Sequence, residues 1–128
     1  YIESTKMQVR DSKYVETLMG RRRYIHEIGS SNYNVRAAGE RMAINMPIQG
    51  TAADILKIAM IRIQGIINQE RLKSIMILQV HDELIFEVPS EELGTMRELI
   101  FETMASAMEL NVPLEVEMKS GYNWDDMD

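Results

Sequence analysis

The chain has 128 residues, 45% of them hydrophobic and 27% charged, with a formal net charge of −6 and no cysteine. That length suits one domain with one modest core, and the composition is ordinary for a soluble globular chain. A disulfide framework and thiolate metal sites are excluded, which fits a reducing cytoplasmic setting; no apolar run reaches the ~18 residues of a membrane span, and no basic-then-apolar leader is present.

The chain opens at Tyr1 rather than Met, within a polar, helix-compatible stretch, YIESTKMQVRDS, with no capping residue before it. This suggests a piece of a longer protein whose residues 1–12 end a helix. The segment YVETLMGRRRYIHEI, 14–28, predicts two short strands around a turn at Gly20, because Val15, Thr17, Tyr24 and Ile25 favour strands and glycine supplies the turn. GSSNYN, 29–34, reads as a loop. Helix-forming Ala, Arg, Glu and Met dominate from Val35 through Asn45. Pro47 removes a backbone donor and is expected to end or kink that helix. A second helix is expected after Gly50, with Thr51, or alternatively Gln49 or Gly50, at its start. Its apolar face is Ala52, Ile55, Leu56, Ala59, Met60, Ile63, Ile66 and Ile67, at spacings of three and four.

Residues 75–80 and 84–88 predict a hairpin with His81, Asp82 and Glu83 at its tip. Pro89 stops the second strand, and Ser90 is the expected N-cap of a helix whose first turn holds Glu91 and Glu92. That helix should run to about Leu110 with Leu93, Met96, Leu99, Ile100, Met104 and Met108 on one face, and with Asn111 at its C-terminus. PLEVEM, 113–118, alternates like a half-exposed strand. The order gives an α+β fold, an antiparallel sheet backed by helices. The 11 methionines sit mostly on apolar faces and read as core filling.

Charge is unevenly spread. Residues 1–50 carry 8 Lys/Arg against 5 Asp/Glu, and residues 51–128 carry 6 against 15. A net acidic chain is a poor general nucleic-acid binder, yet a basic first half and an acidic second half suit a site where a polyanion meets metal ions. A solvated surface with chance asymmetry gives the same counts. At the hairpin tip, Asp82 and Glu83 are adjacent and would repel without a compensating cation. A plain turn accounts for an Asp there. A hard divalent ion such as Mg²⁺ accounts for both, since it takes carboxylate oxygens together with substrate phosphates. Two such ions would need a further carboxylate from another strand. Asp11, Asp54 and the cluster Asp125, Asp126 and Asp128 have no strand setting like that of Asp82, so the partner is expected to lie outside these residues. Arg41, Asn45 and Gln49 recur every four residues; on one continuous helix they form a stripe suited to base edges and sugars, or simply a polar face in water. Arg21, Arg22 and Arg23 beside Gly20 suit phosphate contact.

Together these stretches resemble a known family. QVHDELIFEVP is similar to a palm motif of family A DNA polymerases, and RAAGERMAINMPIQGTAADILKIAM to their long palm helix. YVETLMGRRRYIHEI resembles the segment between fingers and palm, and VPLEVEMKSGYNWDDM the C-terminus. The resemblance implies that residues 1–34 close the fingers region and its connecting hairpin, and that 35–128 belong to the palm. It implies that Asp82 binds a catalytic metal ion, Glu83 supports it and His81 lies near the primer terminus. It further implies that Arg41, Asn45 and Gln49 touch primer–template DNA in the minor groove and that Arg21 and Arg22 contact backbone phosphates. The implied reaction is attack of a primer 3′-hydroxyl on the α-phosphate of a dNTP, with two Mg²⁺ ions assisting and pyrophosphate leaving. The earlier palm Asp and the nucleotide-gripping fingers helix have no counterpart in these residues. The fragment is therefore expected to be inactive alone, to engage no membrane, and to expose apolar surface that favours self-association. A metal-dependent nuclease with His81 as base, and a non-catalytic interaction or scaffold module, are the other readings.

Overall fold

A computed structural model of the protein describes residues 1–108 and 115–127. It divides into two compact units, Tyr1–Asp54 and Ile55–Asp128.

In the first unit, helix α1 (Ile2–Ser12) leads into an antiparallel ribbon of β1 (Tyr14–Glu16) and β2 (Arg22–Tyr24), followed by a 3₁₀ turn, His26–Gly29. Lys13 ends α1 in the left-handed conformation, φ 67°, and its N–H closes on the Val9 carbonyl at 2.8 Å. The expected turn at Gly20 is present, with φ 83°. Val9, Val15, Ile25, Ile28, Ala43 and Met46 form this unit's core. Val15 and Ile25 point inward because alternate residues of a strand face opposite sides.

Helix α2 spans Tyr33–Gln69 with Pro47 inside it, so the expected interruption does not occur. An interior proline costs about 3 kcal/mol through a lost hydrogen bond and a clash with the carbonyl four residues back. Packing offsets that cost. Ala43 and Met46 are buried just before Pro47, and Gly50 and Asp54 are buried just after it. The Tyr1 hydroxyl also donates to the Ile44 carbonyl at 3.0 Å, beside the carbonyl that loses its donor. Thr51 is therefore no cap. It lies within the helix and accepts the Leu18 N–H at 3.0 Å. Asn32 caps α2 instead, its side-chain oxygen accepting from the Asn34 N–H at 2.9 Å.

The second unit contains the rest of α2. Leu56, Ala59, Ile63 and Ile67 are buried at the expected spacing, whereas Ala52, placed on the same face from sequence, is exposed. The helix ends in a Schellman motif. Arg71 is left-handed, φ 53°, the Leu72 N–H reaches the Ile67 carbonyl at 3.0 Å, and the Arg71 N–H reaches that of Asn68 at 3.3 Å. The hairpin follows: β3 (Ile75–Val80) pairs antiparallel with β4 (Glu83–Glu87), with a bulge between Met76 and Leu78. Met76, Leu84, Phe86 and Val88 pack onto Ile63, Ile67, Met96 and Ile100 of α2 and α3 (Leu93–Ala105). Among the described residues, the antiparallel structure is two separate two-stranded ribbons, one in each unit.

Ser90 is not the cap of α3. Ser90–Glu92 forms a 3₁₀ turn, and the helix starts at Leu93 with no side-chain cap bond. Glu92 reaches back to the start of β3, accepting the Lys73 N–H at 2.8 Å, the Ser74 N–H at 3.0 Å and the Ser74 hydroxyl at 2.7 Å. Helix α3 stops at Ala105, short of the expected Leu110; residues 109 and 110 and the expected cap Asn111 lie outside the described residues. Of the expected strand 113–118, residues 115–118 are not extended into a ladder and the first two lie outside the described residues.

Candidate functional site

The hairpin tip is two residues long. Val80 pairs with Glu83, so His81 and Asp82 form the turn and Glu83 is already the first residue of β4. A two-residue turn between paired strands needs positive φ to match their twist, which normally selects Asn or Gly. His81 takes that role at φ 55°, a conformation uncommon for a residue with a β-carbon. Its carbonyl accepts from the Gln79 side chain at 3.4 Å. His81, Asp82 and Glu83 are all exposed. Strain at a tip without glycine, held by a ladder on both sides, marks a position where the side chains rather than the backbone set the sequence.

Asp82 offers hard oxygen ligands of the kind Mg²⁺ takes, and Glu83 lies next to it. Among the described residues there is no group of three or more His, Asp or Glu that would hold a metal ion. The donor chemistry fits a divalent cation, and the ligand set is partial. Asp54, weighed from sequence as a second carboxylate, is buried in the first unit and accepts from Arg21 Nε at 2.9 Å. Asp126 is tied to Asn123 in the 3₁₀ turn Trp124–Asp126, its carboxylate accepting at 2.9 Å. Asp125 is exposed, and Asp128 lies outside the described residues.

Because α2 is unbroken through Pro47, Arg41, Asn45 and Gln49 do form one stripe, and all three are exposed. Among the described residues, none of the three is engaged in a side-chain hydrogen bond or an ion pair. The opposite stripe, Ala43, Met46, Gly50 and Asp54, is buried. A donor-rich stripe left open to solvent on a helix anchored by its other side is suited to groove edges.

The arginine triplet behaves unevenly. Arg21 binds Asp54 and also donates to the Gly50 carbonyl at 3.3 Å, so it fastens the ribbon turn to α2. Arg22 donates to Glu16 across the ribbon at 2.8 Å and stacks 4.3 Å above the Tyr14 ring. The Glu16 hydrogen bond, then the charge interaction with Tyr14, hold the Arg22 guanidinium above its ordinary pKa. Arg23 is exposed, reaches Met42 Sδ at 3.8 Å, and has no carboxylate partner among the described residues. Two features went unread in the sequence. One is the carboxylate clamp of Glu92. The other is the line of Arg22, Tyr24 and His26 on one face of the ribbon, which the alternation in RRRYIH signals at a spacing of two.

The fold and these groups define a class. A solved structure described as the POL domain of Pol1 from M. smegmatis in complex with DNA primer-template and dNTP superposes with a TM-score of 0.87 and 50% sequence identity, covering 90% of this chain and 20% of that one. The described fold is that of a piece of a polymerase domain. The chain belongs to DNA polymerase family A, whose family model matches residues 1–126. It is 48% identical over 126 residues to DNA polymerase I of Bacillus subtilis (strain 168), covering 98% of this chain and 14% of that protein. It is 46% identical over 125 residues to DNA polymerase I of Mycobacterium tuberculosis (strain ATCC 25618 / H37Rv), again covering 14% of the relative. The chain thus spans about one-seventh of the length of the curated relatives it matches. No helix among the described residues is long and apolar enough to cross a membrane.

Proposed function

We propose that this chain is one part of a DNA-directed DNA polymerase that adds dNTPs to a primer 3′ end in replication or repair. In this reading residues 1–34 close the fingers region and 35–128 lie in the palm. The observation that carries it is an exposed Asp82 on a strained, ladder-fixed turn, in a chain that matches family A over residues 1–126. Polymerases of this family are generally metal-dependent. Asp82, supported by Glu83, would ligate Mg²⁺, and two such ions when bound stabilise the attacking and leaving oxygens of phosphoryl transfer.

The chain's own contribution is position. The β3–β4 ladder fixes the backbone that carries Asp82, and the apolar side of the hairpin anchors it to α2 and α3. His81 on the same turn lies beside the primer terminus. Arg41, Asn45 and Gln49 donate to minor-groove acceptors, which sit at similar positions for every base pair and so report groove shape rather than sequence. Arg21 and Arg22 can reach phosphate only in competition with Asp54 and Glu16, so Arg23 is the stronger phosphate contact of the triplet. The site needs a further carboxylate from elsewhere in the polymerase, and the 128 residues alone should not extend a primer. Cytoplasmic DNA is the substrate this reading requires.

The test is Asp82→Ala in the full-length polymerase chain carrying these residues. Primer extension should be abolished while the unfolding midpoint stays within about 0.5 kcal/mol, as for an exposed turn residue. Glu83→Ala should cost less activity. Near-normal extension by the Asp82 variant would remove it from the metal site.

A further inference from the structure

Pro47 leaves the direction of α2 to be fixed by something other than its own hydrogen bonds. An interior proline clashes with the carbonyl four residues back and lets the helix bend at that point. Arg41 and Asn45 come before it and Gln49 two residues after it, so the line of the three depends on how the turn beyond Pro47 is held.

The tip of the β1–β2 ribbon holds that turn. Arg21 donates through Nε to Asp54 at 2.9 Å and through Nη2 to the Gly50 carbonyl at 3.3 Å. The Thr51 hydroxyl accepts the Leu18 N–H at 3.0 Å. Thr17 Cγ2 lies against Gly50, where a β-carbon would stand only 2.7 Å away. The tip is itself closed by the Thr17 N–H on the Arg21 carbonyl at 3.0 Å and the Gly20 N–H on the Thr17 carbonyl at 2.9 Å. A hydrogen-bonded turn thus grips residues 50, 51 and 54 of α2, immediately after Gln49.

The chemistry of the grip is informative. The Arg21 side chain is half exposed, yet its Nε and Nη2 are committed to α2. An ion pair with a buried carboxylate often stabilises no more than apolar side chains of similar volume. A planar guanidinium adds orientation, because both bonds leave one rigid fork and fix angle as well as distance.

We infer that Arg21 is a positioning residue: with Thr51 it braces the helical turn after Pro47 and so keeps Gln49 in line with Arg41 and Asn45 for minor-groove contact. The inference rests on the polymerase reading for that contact, and it assigns Arg21 to α2 rather than to the DNA backbone.

The test follows binding of a labelled primer–template to the full-length chain carrying these residues, by fluorescence anisotropy without dNTPs. 3-Deazaadenine, which lacks the N3 acceptor of the minor groove, replaces adenine at one base pair at a time near the primer end. Wild type should lose about 2- to 13-fold in affinity at the pair that Gln49 contacts, the range for one net hydrogen bond. Gln49→Ala should bind the two DNAs alike. Arg21→Met should bring that discrimination close to the Gln49→Ala level and change it no further in the Gln49→Ala background. Arg21→Lys should not restore it, since an ammonium cannot span Asp54 and Gly50 as the fork does. The salt slope should be unchanged in Arg21→Met, whereas loss of a phosphate contact would lower it by about 0.9. If Arg21→Met fails to fold, Thr51→Val, which keeps the shape and removes the acceptor for Leu18, carries the same expectation. Full discrimination in the folded variant, rescue by Arg21→Lys, or a lowered salt slope in Arg21→Met would each overturn the inference and leave the polymerase reading standing. A wild-type chain that binds every substituted DNA as it binds adenine would sink the groove contact in that reading, and this inference with it.

Discussion

Gly50 is where the ribbon turn meets helix α2, and adding one carbon there measures how closely they fit. A β-carbon on Gly50 would come 2.7 Å from Thr17 Cγ2, closer than side chains tolerate, and 3.4 Å from Arg21 Nη2. Thr17 is buried and cannot simply rotate away. Its hydroxyl accepts the Met19 and Arg21 N–H groups, each at 3.2 Å. Overpacking of this kind costs about 1–3 kcal/mol. Alanine in a helix interior returns about 1 kcal/mol relative to glycine. Gly50→Ala should therefore destabilise by up to about 2 kcal/mol net. Gly65→Ala, in the same helix with nothing within 4 Å, should instead stabilise by up to about 1 kcal/mol. Thr17→Ser removes Cγ2 and keeps the hydroxyl, so in the Gly50→Ala background it should recover stability, a positive coupling that a double-mutant cycle in urea reads directly. Equal stability of the two glycine variants, or no coupling with Thr17→Ser, would refute the close approach.

Three further expectations follow from the packing and the charges. Ile63 is fully buried between α2, α3 and the hairpin, and Ile63→Ala should lower unfolding free energy by about 2–5 kcal/mol in chemical denaturation. The Lys73 N–H, then the Ser74 hydroxyl, hold the Glu92 carboxyl below its ordinary pKa. Its stabilisation is therefore complete above the ordinary glutamate range and is lost as pH falls through the lowered folded value. Glu92→Gln should flatten that part of the stability–pH curve, and an unchanged acid slope would disprove the clamp. Glu40 is likewise held low, by Arg10 and then Lys6, so Glu40→Gln should flatten the same limb, and more so at low ionic strength, because the pair is exposed to solvent.

Much of this protein was legible in its residues. The hairpin over 75–88 and the ribbon over 14–24 follow from short apolar runs and turn chemistry, and the buried positions of the later part of α2 and of α3 follow from three-and-four spacing, because these are local and periodic properties; the expected second strand does not continue over 26–28, which belong to a 3₁₀ turn, and Leu93 on the expected α3 face is exposed. The carboxylates of Asp82 and Glu83 stood out because nothing local explains two charges at a turn without glycine. What only the tertiary structure decided is where local preference was overruled. Pro47 should have broken α2, but the buried side chains around it and the Tyr1 hydroxyl hold the helix through it, and that continuity puts Arg41, Asn45 and Gln49 on one stripe. Ser90 should have capped α3, but Glu92 found better donors 18 and 19 residues back, at Ser74 and Lys73. Arg21 and Arg22 looked like free cations and turned out to hold Asp54 and Glu16. In each case the deciding partner is distant in sequence, and a chain read residue by residue cannot say which donors, carboxylates and apolar faces folding will bring within reach.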